Sequence, residues 1–328
     1  YTITANRGVI PERLPVVWNT ITDIPVTDDR YDATEQAIDL TLNCEPLAGE
    51  LMVIKNTGVD FIHGNFTNLI QGQQVTLSFN GVPYQFVANY YGGSGNDLVL
   101  GWAATRVFGW GEGRGGQLGT GLPYSKSTPS PILSTGDVPL IGRTVVALAA
   151  GNGHTMILCA DGTLVACGTN TYGQVGDATI TDRLAPVLVD SQPGSALQGK
   201  SVAAISAGRE FCLALCSDGT VAAWGRNQYG QLGDNSTISR NVPVAVNAEL
   251  GSALYGKKVT AVAAGDAYCL ALCSDGGIAA WGYNYKGQLG DGTITNRLIP
   301  VSVSGVNGVS ALFGKIAVAV RASESHSI

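Results

Sequence analysis

The sequence predicts an all-β repeat protein, built of small stacked antiparallel sheets and fused to a short N-terminal β region. Three observations predict it. The stretch Trp224-Gly225-Arg226-Asn227-Gln228-Tyr229-Gly230-Gln231-Leu232-Gly233 returns 57 residues later as Trp281-Gly282-Tyr283-Asn284-Tyr285-Lys286-Gly287-Gln288-Leu289-Gly290, and weaker copies begin at Cys167 and Trp110 with the same spacing. A fixed period of this size marks a repeat architecture. No segment has helical periodicity, whereas short apolar runs are separated by Gly, Asn and Asp turns. Each unit is a small sheet that cannot bury both faces alone, so its neighbours must stack on it.

Composition narrows the function classes. The 328 residues include 44 Gly and only 13% charged residues, as in a packed, turn-rich protein. The net charge is −6 with both signs scattered. No basic stripe is present to neutralise phosphates, so nucleic acid is not an expected partner. No run reaches the roughly 18 apolar residues of a membrane-spanning helix. The chain opens on Tyr1 and shows no signal-like apolar segment, and residues 318–328 start a further repeat and stop inside it. It therefore reads as a piece of a longer polypeptide, or as the ordered part of one. Of the seven Cys, Cys159, Cys216 and Cys273 form one column. Cys212 and Cys216 lie four residues apart on one strand, roughly 13 Å, too far for a disulfide. Without a CxxC pair and with three His, the Cys read as small apolar packing residues and not as zinc ligands.

Taken in order, residues 1–30 are an irregular connector or a donated strand, because Pro11, Pro15 and Pro25 interrupt runs such as Val16-Val17-Trp18. Residues 31–86 read as an N-terminal β module. Ala37–Leu42 alternates as a half-buried strand does, Leu51-Met52-Val53-Ile54 is a continuous apolar run, and Asn80-Gly81 sets a two-residue hairpin turn. Gly92-Gly93-Ser94-Gly95-Asn96-Asp97-Leu98-Val99-Leu100 fits the nonapeptide of calcium-binding β-rolls, with Asp97 as candidate ligand. Such sites need stacked copies and there is one here; the competing reading is a Gly-rich turn entering a strand. The period favours the second reading, since Gly93–Gly101 aligns 57 residues before Ala150–Leu158. The repeats are thus expected over 87–328, as units at about 87–143, 144–200, 201–257 and 258–315 with a partial fifth at 316–328. In each, Ala-Gly opens a strand, Asp-Gly (Asp161, Asp218, Asp275) turns a hairpin, Gly-Gln-Leu-Gly reverses the chain, and Pro129, Pro186, Pro243 and Pro300 precede a short β run. The units close on Ala196–Lys200, Ala253–Lys257 and the stretch Ala311-Leu312-Phe313-Gly314-Lys315.

These motifs, over about residues 107–328, resemble the regulator of chromosome condensation repeat, and Leu213–Gly225 is most similar to its bacterial branch. The resemblance implies propeller-type blades of antiparallel sheet, four units and the start of a fifth here, where a seven-blade ring needs roughly 400 residues. Asn56-Thr57-Gly58-Val59-Asp60-Phe61-Ile62-His63-Gly64-Asn65-Phe66 and Tyr90–Asp97 resemble modules of large repetitive surface proteins of planctomycete- or verrucomicrobium-like bacteria. That implies a bacterial, extracellular or cell-surface setting. One departure is the column of His154, which reads Phe211 and Tyr268 before returning to His326.

No catalytic constellation emerges, and an enzyme is not expected. Trp110, Trp224 and Trp281 are expected to pack between blades, and Gln117, Gln174, Gln231 and Gln288 to bond the backbone of their own turns. Asp177, Asp234 and Asp291 recur with Arg183, Arg240 and Arg297, and Lys126 stands in the first unit; these columns are expected to pair. Arg143, Lys200, Lys257 and Lys315 form a further basic column, read as a solvated edge. Three functions compete. The first is a structural or adhesive surface protein that assembles head to tail, with Val318, Val320, His326 and Ile328 at one joint and Val16, Val17 and Trp18 at the other. The second is a protein- or glycan-binding module using loop residues Arg226, Gln228, Tyr283 and Tyr285. The third, remote, is guanine nucleotide exchange by family analogy. The expected partners are copies of the chain itself, or other surface proteins and glycans.

Overall fold

A computed structural model describes residues 3–4, 13–46, 50–58, 60–93, 95–103, 107–133, 139–140, 143–303, 311–312 and 314–328. Pro11, Val59, Ser94 and Phe313 of the motifs above lie outside the described residues. The described residues form strands and turns. They divide into two compact units, one of Tyr1–Thr105 with Gly142–Val146 and Cys159–Asp161, the other of Arg106–Ile141, Ala147–Leu158 and Gly162–Ile328.

The N-terminal unit holds a six-stranded sheet and a two-stranded one. Strands β1 (Ile3–Thr4), β2 (Arg13–Trp18), β3 (Val26–Asp28), β4 (Ala37–Leu42), β5 (Glu50–Asn56), β6 (Gln74–Phe79), β7 (Val82–Gly92) and β8 (Asp97–Trp102) follow in chain order. The large sheet runs β1-β3-β5-β8-β7-β6, and β2 pairs in parallel with β4. Strand β2 alternates, with Leu14, Val16 and Trp18 inward and Arg13, Pro15 and Val17 outward. The Trp18 indole is fully buried and donates Nε1–H to the Met52 carbonyl at 2.6 Å. Asn80 and Gly81 adopt φ of 50° and 77° between β6 and β7, the left-handed pair that a two-residue hairpin turn requires.

Two expectations are corrected here. Residues 13–28 are not an irregular connector, because β2 and β3 carry core side chains of this unit. Val16 and Trp18 are therefore packing residues and are not available for assembly; Val17 alone of the three faces outward. The first repeat does not begin at 87. Strands β7 and β8 pair with each other and with β6 and β5, and Phe86, Ala88, Tyr90, Leu98 and Leu100 pack into the core that contains Trp18 and Leu51. A Gly-rich turn followed by an apolar strand mimics the repeat at the 57-residue offset, and burial against this core decides the pairing.

The second unit begins with a two-stranded sheet, β9 (Phe108–Gly111) and β10 (Lys126–Pro131). Three four-stranded blades follow: β11 (Val145–Ala150), β12 (His154–Cys159), β13 (Leu164–Gly168) and β14 (Arg183–Leu188); β15 (Val202–Ala207), β16 (Phe211–Cys216), β17 (Val221–Gly225) and β18 (Arg240–Ala245); β19 (Val259–Ala264), β20 (Tyr268–Cys273), β21 (Ile278–Gly282) and β22 (Arg297–Ser302). Their registers superimpose: His154 faces Gly168, Phe211 faces Gly225 and Tyr268 faces Gly282. The middle strands β12, β16 and β20 are almost wholly apolar and buried, as strands covered on both faces must be. One extra residue before Ala311 shifts the final column, so that Ala322 faces Ser327 as Ala264 faces Cys269.

Two glycines show why the motif has its form. The Gly of Ala-Gly seats a ring three residues on, since a Cβ at Gly208 meets Phe211 Cε1 at 2.0 Å. Gly233 has φ +65°, and a Cβ there meets Trp281 Nε1 at 2.8 Å. The last Gly of Gly-Gln-Leu-Gly is thus the seat of the next blade's Trp.

Candidate functional site

The Asn of Trp-Gly-x-Asn is the hub of each loop between the third and fourth strands. Asn227 is fully buried. Its Nδ2 donates to Asp234 Oδ1 and to the carbonyls of Ser236 and Ile238, and its Oδ1 accepts the Leu232 amide. Asn170 and Asn284 repeat this pattern. The Asp and Arg columns meet at the hub. Asp177, Asp234 and Asp291 pair with Arg183, Arg240 and Arg297 at 2.5, 2.9 and 2.7 Å, with each carboxylate nearly covered. Burial alone raises the Asp177 and Asp291 carboxyls, but bonds from Thr179 with Arg183, and from Arg297 with Thr293, outweigh it and hold both below the usual range. The first unit has Gly113, Thr120 and Lys126 in these columns, so it lacks the hub. The further basic column pairs with the hairpin Asp: Arg143 with Asp161, Lys200 with Asp218, and Lys257 with Asp275. This basic column was visible in the sequence as an edge, but its pairing with the hairpin Asp was not.

Blades join at one recurring acceptor. The Gln174 carbonyl accepts Trp224 Nε1–H at 3.0 Å and Cys212 Sγ–H at 3.2 Å; the Gln231 carbonyl accepts Trp281 and Cys269 at the same distances. The Gln side chains turn back on their own loops. Oε1 of Gln117, Gln174, Gln231 and Gln288 accepts the amides of Gly115, Tyr172, Tyr229 and Lys286. Trp224 and Trp281 lie wholly buried at these joints. Trp110 does not: it is 62% exposed. The expectation that it packs between blades is corrected, because no Gly-Gln-Leu-Gly turn among the described residues lies beside it.

His154 is buried, with Nε2 3.1 Å from Cys212 Sγ and a buried Nδ1 that has no partner. The arrangement that satisfies both contacts has Nε2–H donating to sulfur and S–H donating to the Gln174 carbonyl. Burial drives the ring down from 6.5 to about 4 and raises the Cys212 thiol.

The turns between first and second strands line a hollow of about 510 Å³, with Asn152, Arg209, Asp266 and Glu324 among its walls. These turns are stitched in series: Asn152 donates to the Arg209 carbonyl, Arg209 to that of Asp266, and Asp266 to that of Ser323. Arg209 lies 3.8 Å from Asp266. Burial raises the Asp266 carboxyl, Glu324 and Glu210 add to the effect, and Arg209 opposes it. Beside the hollow, Arg226 bonds Glu210 and Gln228 and stands 4.9 Å over the Tyr172 ring. The next blade continues the strip with Tyr229 4.8 Å from Tyr283, and Tyr283 6.5 Å from Tyr285. Arg226, Gln228, Tyr283 and Tyr285, singled out in the sequence, are thus brought together on one face. Tyr172, Glu210 and Tyr229 were missed, because their membership depends on how one blade's loop meets the next.

The remaining candidates separate. Val320 is buried against Tyr268 and Leu270, whereas Val318 and Ile328 are 83% and 82% exposed. His326 is exposed, and its carbonyl accepts the Tyr268 hydroxyl. Asp97 is buried and accepts the Asn56 amide at 2.8 Å. Among the described residues no group of three or more His, Cys, Asp or Glu is placed to hold a metal, and no helix is long and apolar enough to cross a membrane.

Comparison with known proteins gives the same repeat. The profile of the regulator of chromosome condensation (RCC1) repeat matches residues 106–158, 161–215, 218–272 and 275–328. The chain is 33% identical over 203 residues to the ultraviolet-B receptor UVR8 of Arabidopsis thaliana, covering 62% of this chain and 43% of that protein. It is 32% identical over 268 residues to the human E3 ubiquitin-protein ligase HERC2, covering 81% of this chain and 5% of that one. The chain therefore spans less than half the length of either relative. Among solved structures it is similar to human WBSCR16, with TM-score 0.56, 22% identity, 80% of this chain and 59% of that one. It is also similar to Prp20p of Saccharomyces cerevisiae, with TM-score 0.54, 19% identity, 80% of this chain and 56% of that one; that work describes binding to Gsp1p and histones.

Proposed function

The chain belongs to the regulator of chromosome condensation (RCC1) repeat family, and from that premise we propose that it is a non-enzymatic, protein-recognising propeller module. One observation carries the reading: Tyr172, Arg226, Tyr229, Tyr283 and Tyr285 are gathered from three consecutive loops onto one face, beside the charged hollow. Arg and Tyr are the residue types that dominate protein interfaces, because each offers a large, rigid contact area with a polar end. Prp20p, a protein of this fold, is described as binding Gsp1p and histones, which supports recognition of protein by such blades. The test is cross-linking mass spectrometry of the native protein against Arg226→Ala and Tyr283→Ala. Partners held by the wild type and lost by both variants support the reading; an unchanged partner set sinks it. A glycan array probed with the same variants tests the glycan form, and nucleotide release from a small GTPase tests the remote exchange reading.

A second reading is favoured by a separate feature. Trp110 and Phe108 are exposed on β9, which among the described residues pairs with β10 alone, as fits a structural or adhesive protein that associates with itself. Its bacterial, cell-surface setting is carried by the sequence resemblance alone. Electron microscopy of native material checks it: filaments or lattices support self-assembly, and isolated particles at every concentration reject it.

A further inference from the structure

We propose that the joint between the β11–β14 and β15–β18 blades is an acid-sensitive hinge, which loosens at His154 in mild acid and so releases what the face of Tyr172 and Arg226 holds. The inference rests on the protein-recognising reading above and names its regulation.

Two successive joints are built alike and differ in one ring. At each, a Gln carbonyl takes an indole N–H and a thiol from the following blade: Gln174 from Trp224 and Cys212, Gln231 from Trp281 and Cys269. The column that seats a ring on the Ala-Gly turn holds His154 at the first joint and Phe211 at the second. A phenyl ring has no polar atom to satisfy. The His154 imidazole has two: Nε2 stands 3.1 Å from Cys212 Sγ, and Nδ1 is buried without a partner.

A second ring proton has no acceptor there, and its charge has no counter-ion. The titratable group that faces the ring is the Cys212 thiol; the Cys167 thiol on β13 is directed to the Gln117 carbonyl instead. The charged groups on the surrounding elements are engaged elsewhere. On the turn from β15 to β16, Arg209 pairs with Asp266 and Glu210 with Arg226; on the loop of Gln174, Asp177 pairs with Arg183 and Asp182 accepts the Asn170 amide. Residues 145–153, which form β11 and its turn, carry no charge. Charging the enclosed ring is therefore unfavourable, and loosening the joint to admit water relieves it. Exposed, the ring titrates near 6.5; enclosed, at about 4. Loosening takes up a proton between those values, so it is favoured as pH falls.

This joint lies under the recognition face. The loop that supplies the Gln174 carbonyl also carries Tyr172, whose amide donates to Gln174 Oε1 at 2.9 Å. Trp224, seated on that carbonyl, precedes Arg226 by two residues, and Arg226 stands 4.9 Å over the Tyr172 ring. That contact crosses the His154 joint, whereas Tyr229 and Tyr283 meet across the next one. At the outer strand β18, Asn241 exchanges two bonds with Ala178, each of 2.9 Å. The two blades stay tethered there while the side that holds His154 opens and Tyr172 parts from Arg226.

The test is labelling of Cys212 and Cys269 in the full chain with a pyridyl disulfide, read as the ratio of the two by peptide mass spectrometry. The ratio cancels the reagent's own pH dependence. In the wild type it is expected to rise about thirtyfold from pH 7.5 to pH 5, and in His154→Phe to stay flat. A flat wild-type ratio overturns the proposal, since unfolding of the whole chain exposes both thiols alike. A rise that persists in His154→Phe overturns it too. Cross-linking of native partners at the same two pH values reads the release. Partners lost by Arg226→Ala are expected to leave the wild type at pH 5 and to stay on His154→Phe. Partners that stay on the wild type at pH 5 overturn the release while the recognition reading stands. If no partner depends on Arg226 at pH 7.5, the recognition reading falls and the release with it, and the labelling ratio still decides whether acid opens the joint.

Discussion

The indole Nε1 of Trp281 donates to the main-chain carbonyl of Gln231, 50 residues earlier, at 3.0 Å. The same bond joins Trp224 to Gln174. A side chain on one blade thus closes a backbone turn on the previous one, and the joint combines large apolar burial with a satisfied polar group. Trp281→Ala is expected to cost about 3–5 kcal/mol, as large-to-small replacement of a buried aromatic does. Trp110→Ala is expected to leave the stability of the monomer within about 0.5 kcal/mol. Urea denaturation of the two variants under conditions that keep the chain monomeric checks the contrast.

Gly233→Ala and Gly81→Ala make a matched pair. Both glycines have positive φ, but a Cβ at Gly81 meets nothing within 4 Å, whereas at Gly233 it meets the Trp281 indole. Gly81→Ala is expected to cost about 1 kcal/mol, the left-handed penalty alone. Gly233→Ala is expected to cost several-fold more, because the next blade must move. Thermal melts separate the two.

Asn227→Ala removes a fully buried amide that serves Asp234, two carbonyls and the Leu232 amide. Leaving those groups without a partner is expected to cost roughly 2–4 kcal/mol. Hydrogen exchange is expected to show the loss first at the amide of Leu232.

Stability is expected to fall in mild acid through His154. Unfolded, the ring titrates near 6.5; folded, burial holds it at about 4. Above 6.5 both states are neutral and the group costs nothing. Between 6.5 and 4 only the unfolded chain takes up the proton, so stability is lost as pH falls through that window. The full loss is roughly 3 kcal/mol at about 1.4 kcal/mol per pH unit. His154→Phe, the residue type found at Phe211, is expected to flatten the urea midpoint across this window. A slope that persists in the variant rejects His154 as its source. Asp177 and Asp291, held low in the folded chain, add a separate loss as pH falls below the ordinary carboxylate value.

Much of the fold was legible because the repeat writes its own rules into single residues. Asp-Gly, Ala-Gly and the final Gly of Gly-Gln-Leu-Gly each mark a backbone position where a larger residue is strained or crowded, and the Asp and Arg columns announced the pairs at Asp177, Asp234 and Asp291. What could not be read depends on neighbours. Trp110 shares the Trp-Gly and Gly-Gln-Leu-Gly frame of Trp224, and that frame does not decide burial; the turn beside the indole does. Leu98-Val99-Leu100 fits either sheet by pattern, and the core around Trp18 decides. The face that joins Tyr172 to Arg226 exists only once two blades lie side by side, since the two residues are 54 positions apart in the chain.

The serial bonds between blades also set how the second unit can be built. Trp281 reaches back 50 residues and Cys269 reaches back 38, and Asn241 reaches back 63 to Ala178, so these bonds close loops of about one repeat. Loop-closure entropy grows slowly over that length, and stability in such arrays is a sum of unit and nearest-neighbour contributions. Folding can then start at any blade and spread in both directions. Damage at one joint loosens the two blades that share it and leaves the next joint to hold.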